Sequence, residues 1–444
     1  MLTKLYWVWN CGSDAENVRN VSHTIADARG GSISAAPSPQ GILSTAPRGG
    51  ARRWLSRTVA VLYSLVMLEV IIMISPFALY FYAAYGPTLK WLNHSRATAW
   101  LTGFVLPHAV FTTSPFLEFL RWDLGRCAFG LGLVGFFFFA VQIYGSRLFR
   151  RKVVTSGVYR YIRHPQYLCL SISAFGLFTM WPRVIIFLLF VGMLFAYYFL
   201  ARVEERRMLI LHPGYAEYML RTGMFLPGNP GGRVYPLLFG GMRNRWLAHR
   251  LAIGCLALVL LLTGIGLRAY TLGHISRSSD GANMELISVY PMTPEAMQHV
   301  VALALADSRV EEALHRERYA TFVVHILPHN YGMIGMFADV ESRHMRPGNI
   351  HLSRFKYLAG CLLPFLDAHQ RTDLMGSDGR EYRLVFSRVD GPGGRPVRPG
   401  RILDLSAKMT PVYIADVNSA SGHVSETIDP PRRSFWGEVK MPIF

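Results

Sequence analysis

A short polar segment, GVYRYIRHPQY at residues 157–167, lies between two strongly apolar runs. Proline is favoured in the first turn of a helix, where its missing N–H would have no partner, so Pro165 predicts a helix start. Arg163 and His164 then lie at the positive end of a helix dipole, beside free backbone donors, and such a position binds anions such as carboxylates. The alternative interpretation is an interfacial belt, in which tyrosines and arginines anchor helix ends at the lipid headgroups.

A second polar segment, RVEERRMLILHPGYAEYMLRTGMFLP at residues 202–227, follows the next apolar runs. Trp181–Arg183 interrupts those runs and predicts a helical hairpin, because Pro182 restricts the residue before it and removes an amide donor. A hairpin returns the chain to the side where it began. We therefore expect Glu204 and Glu205 to lie near Arg163 and His164, with aromatic neighbours at Tyr215 and Tyr218.

Carboxylates, arginines, a histidine and aromatic rings on one face would suit a cofactor with a carboxylate, a ribose and a cationic centre. S-adenosylmethionine combines these groups, and we predict it as the cofactor. The predicted catalytic residues are Arg163, His164 and Glu204. The predicted cofactor-binding residues are Tyr159, Arg160, His164, Pro165, Tyr167, Glu204, Glu205, Tyr215 and Tyr218, and no metal site is predicted. We expect Arg163 and the glutamates to serve the ligand rather than stability, because removing a polar interaction at an interface costs little folding free energy.

The ordered elements VVTSGVYRYIRHPQY, EERRML and HPGYAEYMLRTGMFLP resemble the isoprenylcysteine carboxyl methyltransferase and phospholipid methyltransferase superfamily of integral membrane enzymes. The resemblance covers about residues 145–228. It has two departures: Arg151 stands where many relatives have histidine, and Cys169 stands where many have glycine, which puts a bulkier side chain where helices pack closely.

The resemblance implies methyl transfer from S-adenosylmethionine to a lipophilic acceptor reached from the bilayer. The acceptor would be the carboxylate of an isoprenylcysteine-like substrate or the amine of a phospholipid. A carboxylate needs no base, whereas an amine must lose a proton, for which His164 or a glutamate is the candidate.

Two other functional classes fit parts of the pattern. A membrane sterol-type reductase with a nicotinamide cofactor shares a related Arg-His motif, but PQYLCLS lacks the Asn-Tyr-x-Gly-Asp continuation of those proteins. A non-catalytic scaffold that anchors a sensor domain is the second alternative, and the intact glutamate pair and tyrosine segment argue against it.

Composition favours a membrane protein. The 444 residues are 51% hydrophobic and 17% charged, and the mean hydropathy is +0.24. The formal charge of +18 comes with arginines beside apolar runs, which is typical of membrane proteins, and no nucleic-acid-binding module is recognisable. The five scattered cysteines indicate neither a disulfide framework nor a zinc knuckle.

The predicted fold is mainly α: a polytopic helical membrane domain with a cofactor pocket on its cytoplasmic face, followed by a small α+β domain whose element order resembles cystatin-like domains. The predicted divisions are a disordered arm at 1–57, the methyltransferase domain at 58–250 with its motif core at 145–228, a further transmembrane helix at 251–270, and the α+β domain at 285–444. Apolar runs occur at Val59–Tyr85, Ala99–Phe119, Cys127–Tyr144, Leu168–Met180, Val184–Leu200 and Leu251–Leu267.

Arginine placement predicts the sides of the membrane. The arginines near residues 147–163 and 202–207 favour a cytoplasmic site, and one crossing by Leu251–Leu267 would carry the C-terminal domain to the opposite side. We interpret Ala99–Phe119 as not spanning, because Pro107, His108 and Pro115 break it.

Two minor candidates remain. Glu69 lies inside the first apolar run, where an ionisable group is either functional or paired within the bundle. A set of histidines and methionines is of the type that binds copper, although the surrounding sequence favours core strands. This set comprises His325, His329, Met333, Met336, His344 and Met345.

Overall fold

The computed structural model describes residues 71–80, 97–148 except 109, 155–279 except 213, 283–329 except 318–319, 380–391 and 401–430 except 406, with isolated positions between them. The predicted arm, Glu69, Arg151 and Met333–Met345 lie outside the described residues. The chain divides into two compact units. One holds the residues up to Ser75 with Val141–Pro165 and Tyr197–Val259, and the other holds Pro76–Ala140, Gln166–Ala196 and Leu260–Phe444.

Helices, most of them apolar, make up the first part of the described chain. They are α1 (Ile71–Tyr80), α2 (Gly125–Leu148), α3 (Pro165–Met180), α4 (Val184–Leu211), α5 (Tyr215–Arg221), α6 (Pro230–Phe239) and α7 (Arg245–Leu272). A single turn, Pro115–Glu118, and a π-helical segment, Phe119–Leu124, precede α2. The structure agrees that Ala99–Phe119 is not one spanning helix, since it contains only the short 3-10 turn Ala99–Thr102 before Pro115.

Three helices of the described chain are long and apolar enough to cross a membrane: Pro115–Ser146, Val184–Leu211 and Arg245–Leu272. Their length and composition are those of membrane-spanning helices. Helix α3 has 16 residues and is therefore about 24 Å long, which is shorter than the hydrocarbon core of about 30 Å.

In the second unit, α2 packs against α3 through glycines. A Cβ at Gly132 would lie 2.7 Å from the carbonyl oxygen of Cys169, and one at Gly176 would overlap the backbone of α2. The Cys169 thiol is accommodated because it faces Gly135, where an added Cβ would lie 2.8 Å from Sγ. The bulk expected at Cys169 is thus matched by a missing side chain on the facing helix.

The turn of the α3–α4 hairpin is completed by an earlier part of the chain. Phe104 forms an antiparallel bridge with Arg183, and the Val105 amide donates to the carbonyl of Pro182 at 2.7 Å. Arg183 is 1% exposed, donates to the carbonyl of Thr102, and lies 4.4 Å from the centre of the Phe104 ring. These contacts all lie within the second unit.

The C-terminal part of the second unit contains a mixed six-stranded sheet in the order β1 to β6. Its elements are β1 (Arg277–Ser279), β2 (Met284–Ser288), α8 (Pro294–Leu305), α9 (Ser308–His315), β3 (Thr321–Pro328), β4 (Glu381–Asp390), β5 (Lys408–Asn418) and β6 (His423–Ile428). β2 and β3 are parallel, and the other neighbours are antiparallel.

The alternating strand residues give this sheet two buried faces. One face packs against α8 and α9, and Phe386 and Val324 share a buried hydrophobic cluster with Met297 and Val300. The other face packs against the segment that contains Phe104 and Val110. His325 is fully buried in the sheet, which agrees with its interpretation as a core strand residue.

Candidate functional site

The polar segment begins with a turn that requires glycine. Gly157 has a φ of 65°, in the left-handed region that side chains disfavour, and it opens the 3-10 turn Gly157–Arg160. Helix α3 begins at Pro165, as predicted from the missing proline N–H. The turn and the helix start place Arg163 and His164 beside the end of α4, and these residues belong to the first unit.

Arg163 joins this segment to α4 and to the chain after α5. Its Nε donates to Oε1 of Glu205 at 2.5 Å, and its Nη1 donates to the carbonyl oxygens of Met219, at 3.0 Å, and of Thr222. The backbone adds a short parallel pairing, since the Arg163 amide donates to the Gly223 carbonyl at 2.9 Å. The side chains of Arg163 and Glu205 are 7% and 3% exposed.

This burial corrects one expectation. The sequence indicated that Arg163 and the glutamates lie at an interface where their removal costs little stability, whereas the structure buries the side chains of Arg163 and Glu205. Breaking a buried ion pair leaves an uncompensated charge, so we expect removal of either partner alone to destabilise the first unit.

His164 lies between the two carboxylates. Its Nδ1 is 3.5 Å from Oε2 of Glu204, and its Nε2 is 3.4 Å from Oε1 of Glu205. Burial alone would lower the pKa of His164, but the hydrogen bonds and charges of the two glutamates outweigh it and raise this pKa above its ordinary value. His164 therefore keeps its proton to a higher pH than an exposed histidine.

Tyrosines form one wall of the cluster. The hydroxyl of Tyr218 donates to the carbonyl oxygen of Tyr159 at 2.5 Å, and the rings of Tyr215 and Tyr218 lie 5.5 Å apart. Burial, followed by the charge of Glu205, raises the pKa of Tyr215, so its hydroxyl stays protonated.

The structure brings most of the predicted site residues together in the first unit: Tyr159, Arg163, His164, Glu204, Glu205, Tyr215 and Tyr218. Arg160 is exposed beside them. Pro165 shapes the helix start, and Tyr167 is buried on α3 in the second unit.

Glu204 differs from its neighbour because its side chain is 44% exposed. It is therefore the acidic group of the cluster that a ligand could reach. Two further exposed residues, Arg160 and Tyr161, belong to the same unit.

Sequence reasoning missed the residues that complete the Arg163 environment. Thr222 accepts from Arg163 through both its carbonyl and its hydroxyl, and the ring of Phe225 lies 6.1 Å from that of His164. The sequence signal for these residues was the segment TGMFLP, in which an apolar run follows the polar helix α5. Among the described residues, no group of three or more metal-binding side chains is positioned to hold a metal ion.

A helical hairpin carries an arginine–histidine–glutamate cluster at its two ends, and the described chain contains three apolar helices long enough to span a membrane. Residues 127–212 match the model of the phospholipid methyltransferase family, which is part of the isoprenylcysteine/phospholipid methyltransferase superfamily. This match confirms the resemblance found in the sequence.

Part of the chain is also similar to a curated protein. The chain is 30% identical over 151 residues to the cobalt-zinc-cadmium resistance protein CzcN of Cupriavidus metallidurans, an alignment that covers 31% of this chain and 66% of that protein. No solved structure matches the chain.

Proposed function

We propose that this protein is an integral membrane methyltransferase that uses S-adenosylmethionine and methylates a lipophilic acceptor at the membrane interface. The observation that carries the proposal is the position of His164 between Glu204 and Glu205, at the two ends of the hairpin in the region matched by the family. The family supports methyl transfer, and the chemistry of the cluster supports the cofactor.

The residues present fit the cofactor by their chemistry. Glu204 offers a half-exposed carboxylate for ribose hydroxyls or an amine, and Arg160 offers an exposed cation for a carboxylate. The tyrosines supply aromatic faces for a base or a cationic centre. When bound, S-adenosylmethionine supplies an electrophilic methyl group, so the protein mainly positions the reactants and excludes water.

His164 and the glutamates define what the site can do with protons. A carboxylate acceptor needs no proton transfer. For an amine acceptor, Glu204 is the reachable base, and His164 holds its own proton beside it and balances the two carboxylates. The isoprenylcysteine-type acid and the phospholipid amine both remain candidate acceptors.

We assign the sheet domain an accessory role. In this domain, helices pack on one face of the antiparallel strands β3–β6. This arrangement supports the proposed likeness to cystatin-like domains. We propose a cytoplasmic site and a sheet domain on the opposite side of the membrane, because the site is flanked by arginines and α7 is long enough to cross once.

The test uses full-length protein in nanodiscs. Calorimetry measures binding of S-adenosylmethionine and of its demethylated product. Transfer of tritium from labelled cofactor is then measured into a total lipid extract and, separately, into a prenylcysteine analogue. We expect binding, and transfer into one of the two acceptor classes.

Glu204→Gln is the matched variant, because it removes the reachable charge and leaves the buried pair intact. A charge-assisted hydrogen bond is worth about 1.5 to 3 kcal/mol, so cofactor affinity should fall roughly 10- to 150-fold. If the folded wild-type protein binds neither cofactor nor product, the proposal is wrong and the non-catalytic scaffold takes its place.

A further inference from the structure

Helix α6, Pro230–Phe239, lies outside the region matched by the family and has no buried residue. It has ten residues and contains Pro236 in its interior. Helices shorter than about 12 to 15 residues are marginal in water, and an interior proline weakens them further. This helix therefore needs a partner surface.

The two sides of α6 differ. Tyr235 and Phe239 are half-buried, and the Tyr235 ring packs against His249 of α7 at 6.5 Å. Val234, Leu237 and Leu238 are 51%, 84% and 66% exposed. At about 100° per residue, these three share an outward stripe about 100° wide, roughly opposite Phe239.

The charges around the apolar stripe of α6 indicate which partner covers it. No aspartate or glutamate occurs from residue 218 to residue 279. Arg233 borders the apolar stripe, and Arg243 and Arg245 follow the helix, all three exposed. An apolar stripe flanked only by cations is complementary to a bilayer surface with anionic headgroups.

The course of the chain also places α6 near a membrane surface. Helix α4 ends at Leu211 and α7 begins at Arg245, and both are candidate membrane spans, so the segment between them runs along one membrane face. Trp246 at the start of α7 is 42% exposed, and Arg250 lies 3.6 Å from its ring centre. Tryptophan and arginine at a helix end are typical of the headgroup region.

We infer that α6 is an interfacial helix that lies flat in the headgroup region, with Val234, Leu237 and Leu238 inserted among the acyl chains. Arg233, Arg243 and Arg245 bind the headgroups of anionic phospholipids. His249 connects this helix to α4, since the Tyr198 hydroxyl lies 3.5 Å from its Nε2. The lipid-binding surface is thereby mechanically joined to the helix that carries Glu204. The inference does not depend on methyl transfer.

The first experiment measures how deeply residue 237 of α6 is inserted into the bilayer. Full-length protein with its five native cysteines replaced carries an environment-sensitive fluorophore at Leu237→Cys, in nanodiscs with and without phosphatidylserine. Pro236→Cys is the control, because residue 236 points about 150° away from the middle of the stripe. We expect brominated acyl chains to quench the label at 237 and aqueous iodide to quench the label at 236.

The second experiment measures lipid preference. Quenching at 237 by brominated phosphatidylserine is compared with quenching by brominated phosphatidylcholine. Each arginine near an anionic surface raises the preference for phosphatidylserine over phosphatidylcholine by roughly fivefold at most. The variant R233Q/R243Q/R245Q should therefore lose most of this lipid selectivity. The control R277Q/R309Q/R316Q removes three exposed charges from the sheet domain and should keep it.

Three results would overturn the inference. Equal iodide quenching at 236 and 237 would place the stripe in water. A label at 237 that neither quencher reaches, or that cross-links to another copy, would show that protein covers the stripe. Equal quenching by the two brominated lipids in the wild-type background would remove the role of the anionic headgroups.

Discussion

Glu204 and Glu205 are adjacent in the sequence but occupy different environments. The side chain of Glu205 is 3% exposed and accepts from Arg163, whereas that of Glu204 is 44% exposed. On a helix, consecutive side chains point about 100° apart, so His164 can lie between them while only one carboxylate is buried. The first glutamate is therefore available to a ligand, and the second supports the fold.

This difference predicts that substitutions of the two glutamates change stability by different amounts. Glu205→Ala leaves Arg163 buried without its partner and should destabilise the protein by about 3 to 5 kcal/mol. Glu204→Gln removes a partly exposed charge and should cost less than about 1 kcal/mol. Thermal unfolding of both variants in the same detergent measures the difference. Equal reductions in stability would contradict the division of roles.

His164 predicts a dependence of stability on pH. Its folded pKa is raised, so its contribution is complete below the unfolded value of about 6.5 and is lost as pH rises through the raised pKa. The stability difference between wild type and His164→Asn should therefore shrink as pH rises above about 6.5. Unfolding temperatures across this range test it, and a difference that grows with pH would contradict it.

At the scale of elements, the α2–α3 interface depends on glycines that face particular partners. Gly176 faces backbone atoms of α2, which cannot move aside, and Gly135 faces the Cys169 thiol, which can. Gly192 on α4 has open space around its Cβ position. The steric cost of an added Cβ should therefore decrease from Gly176 to Gly135 to Gly192, all within one unit.

We expect Gly176→Ala to lower the unfolding temperature most and Gly135→Ala to lower it less. Gly192→Ala should leave it unchanged or raise it, because alanine favours helix by about 1 kcal/mol over glycine. Adding Cys169→Gly to Gly135→Ala removes the clash and should restore stability. The double-mutant cycle measures this coupling, and additive effects would show that the two side chains do not touch each other.

The hairpin could be predicted from sequence because its determinants are local: Pro165 starts one helix, Pro182 interrupts the apolar run, and the hairpin geometry then brings Glu204 and Glu205 to His164. The burial of Arg163 could not be predicted in the same way. It depends on Thr222 and Gly223, which come from a separate segment after α5, and only the tertiary pairing brings their carbonyls to Arg163.

At the scale of the whole molecule, the proposed topology predicts where the sheet domain is exposed. Helix α7 has 28 residues and is about 42 Å long, which is enough to cross a bilayer once. Single cysteines at Ser279 and Ser421, both exposed, should react with a membrane-impermeant reagent in intact cells, whereas Arg243→Cys should be protected. Protection of the two serine positions would place the sheet domain in the cytoplasm.

The bridge between Phe104 and Arg183 has a consequence for biogenesis. Arg183 and its acceptor Thr102 are 81 residues apart, so the segment around Thr102 leaves the ribosome long before the hairpin turn that it completes. At about 5 to 20 residues per second, this interval is roughly 4 to 16 seconds. During this interval, the backbone groups of Val105 and Gly103 lack the hairpin turn with which they pair in the folded protein. In the proposed topology, insertion of the hairpin must also carry the guanidinium of Arg183 into the bilayer before the Thr102 carbonyl can accept from it.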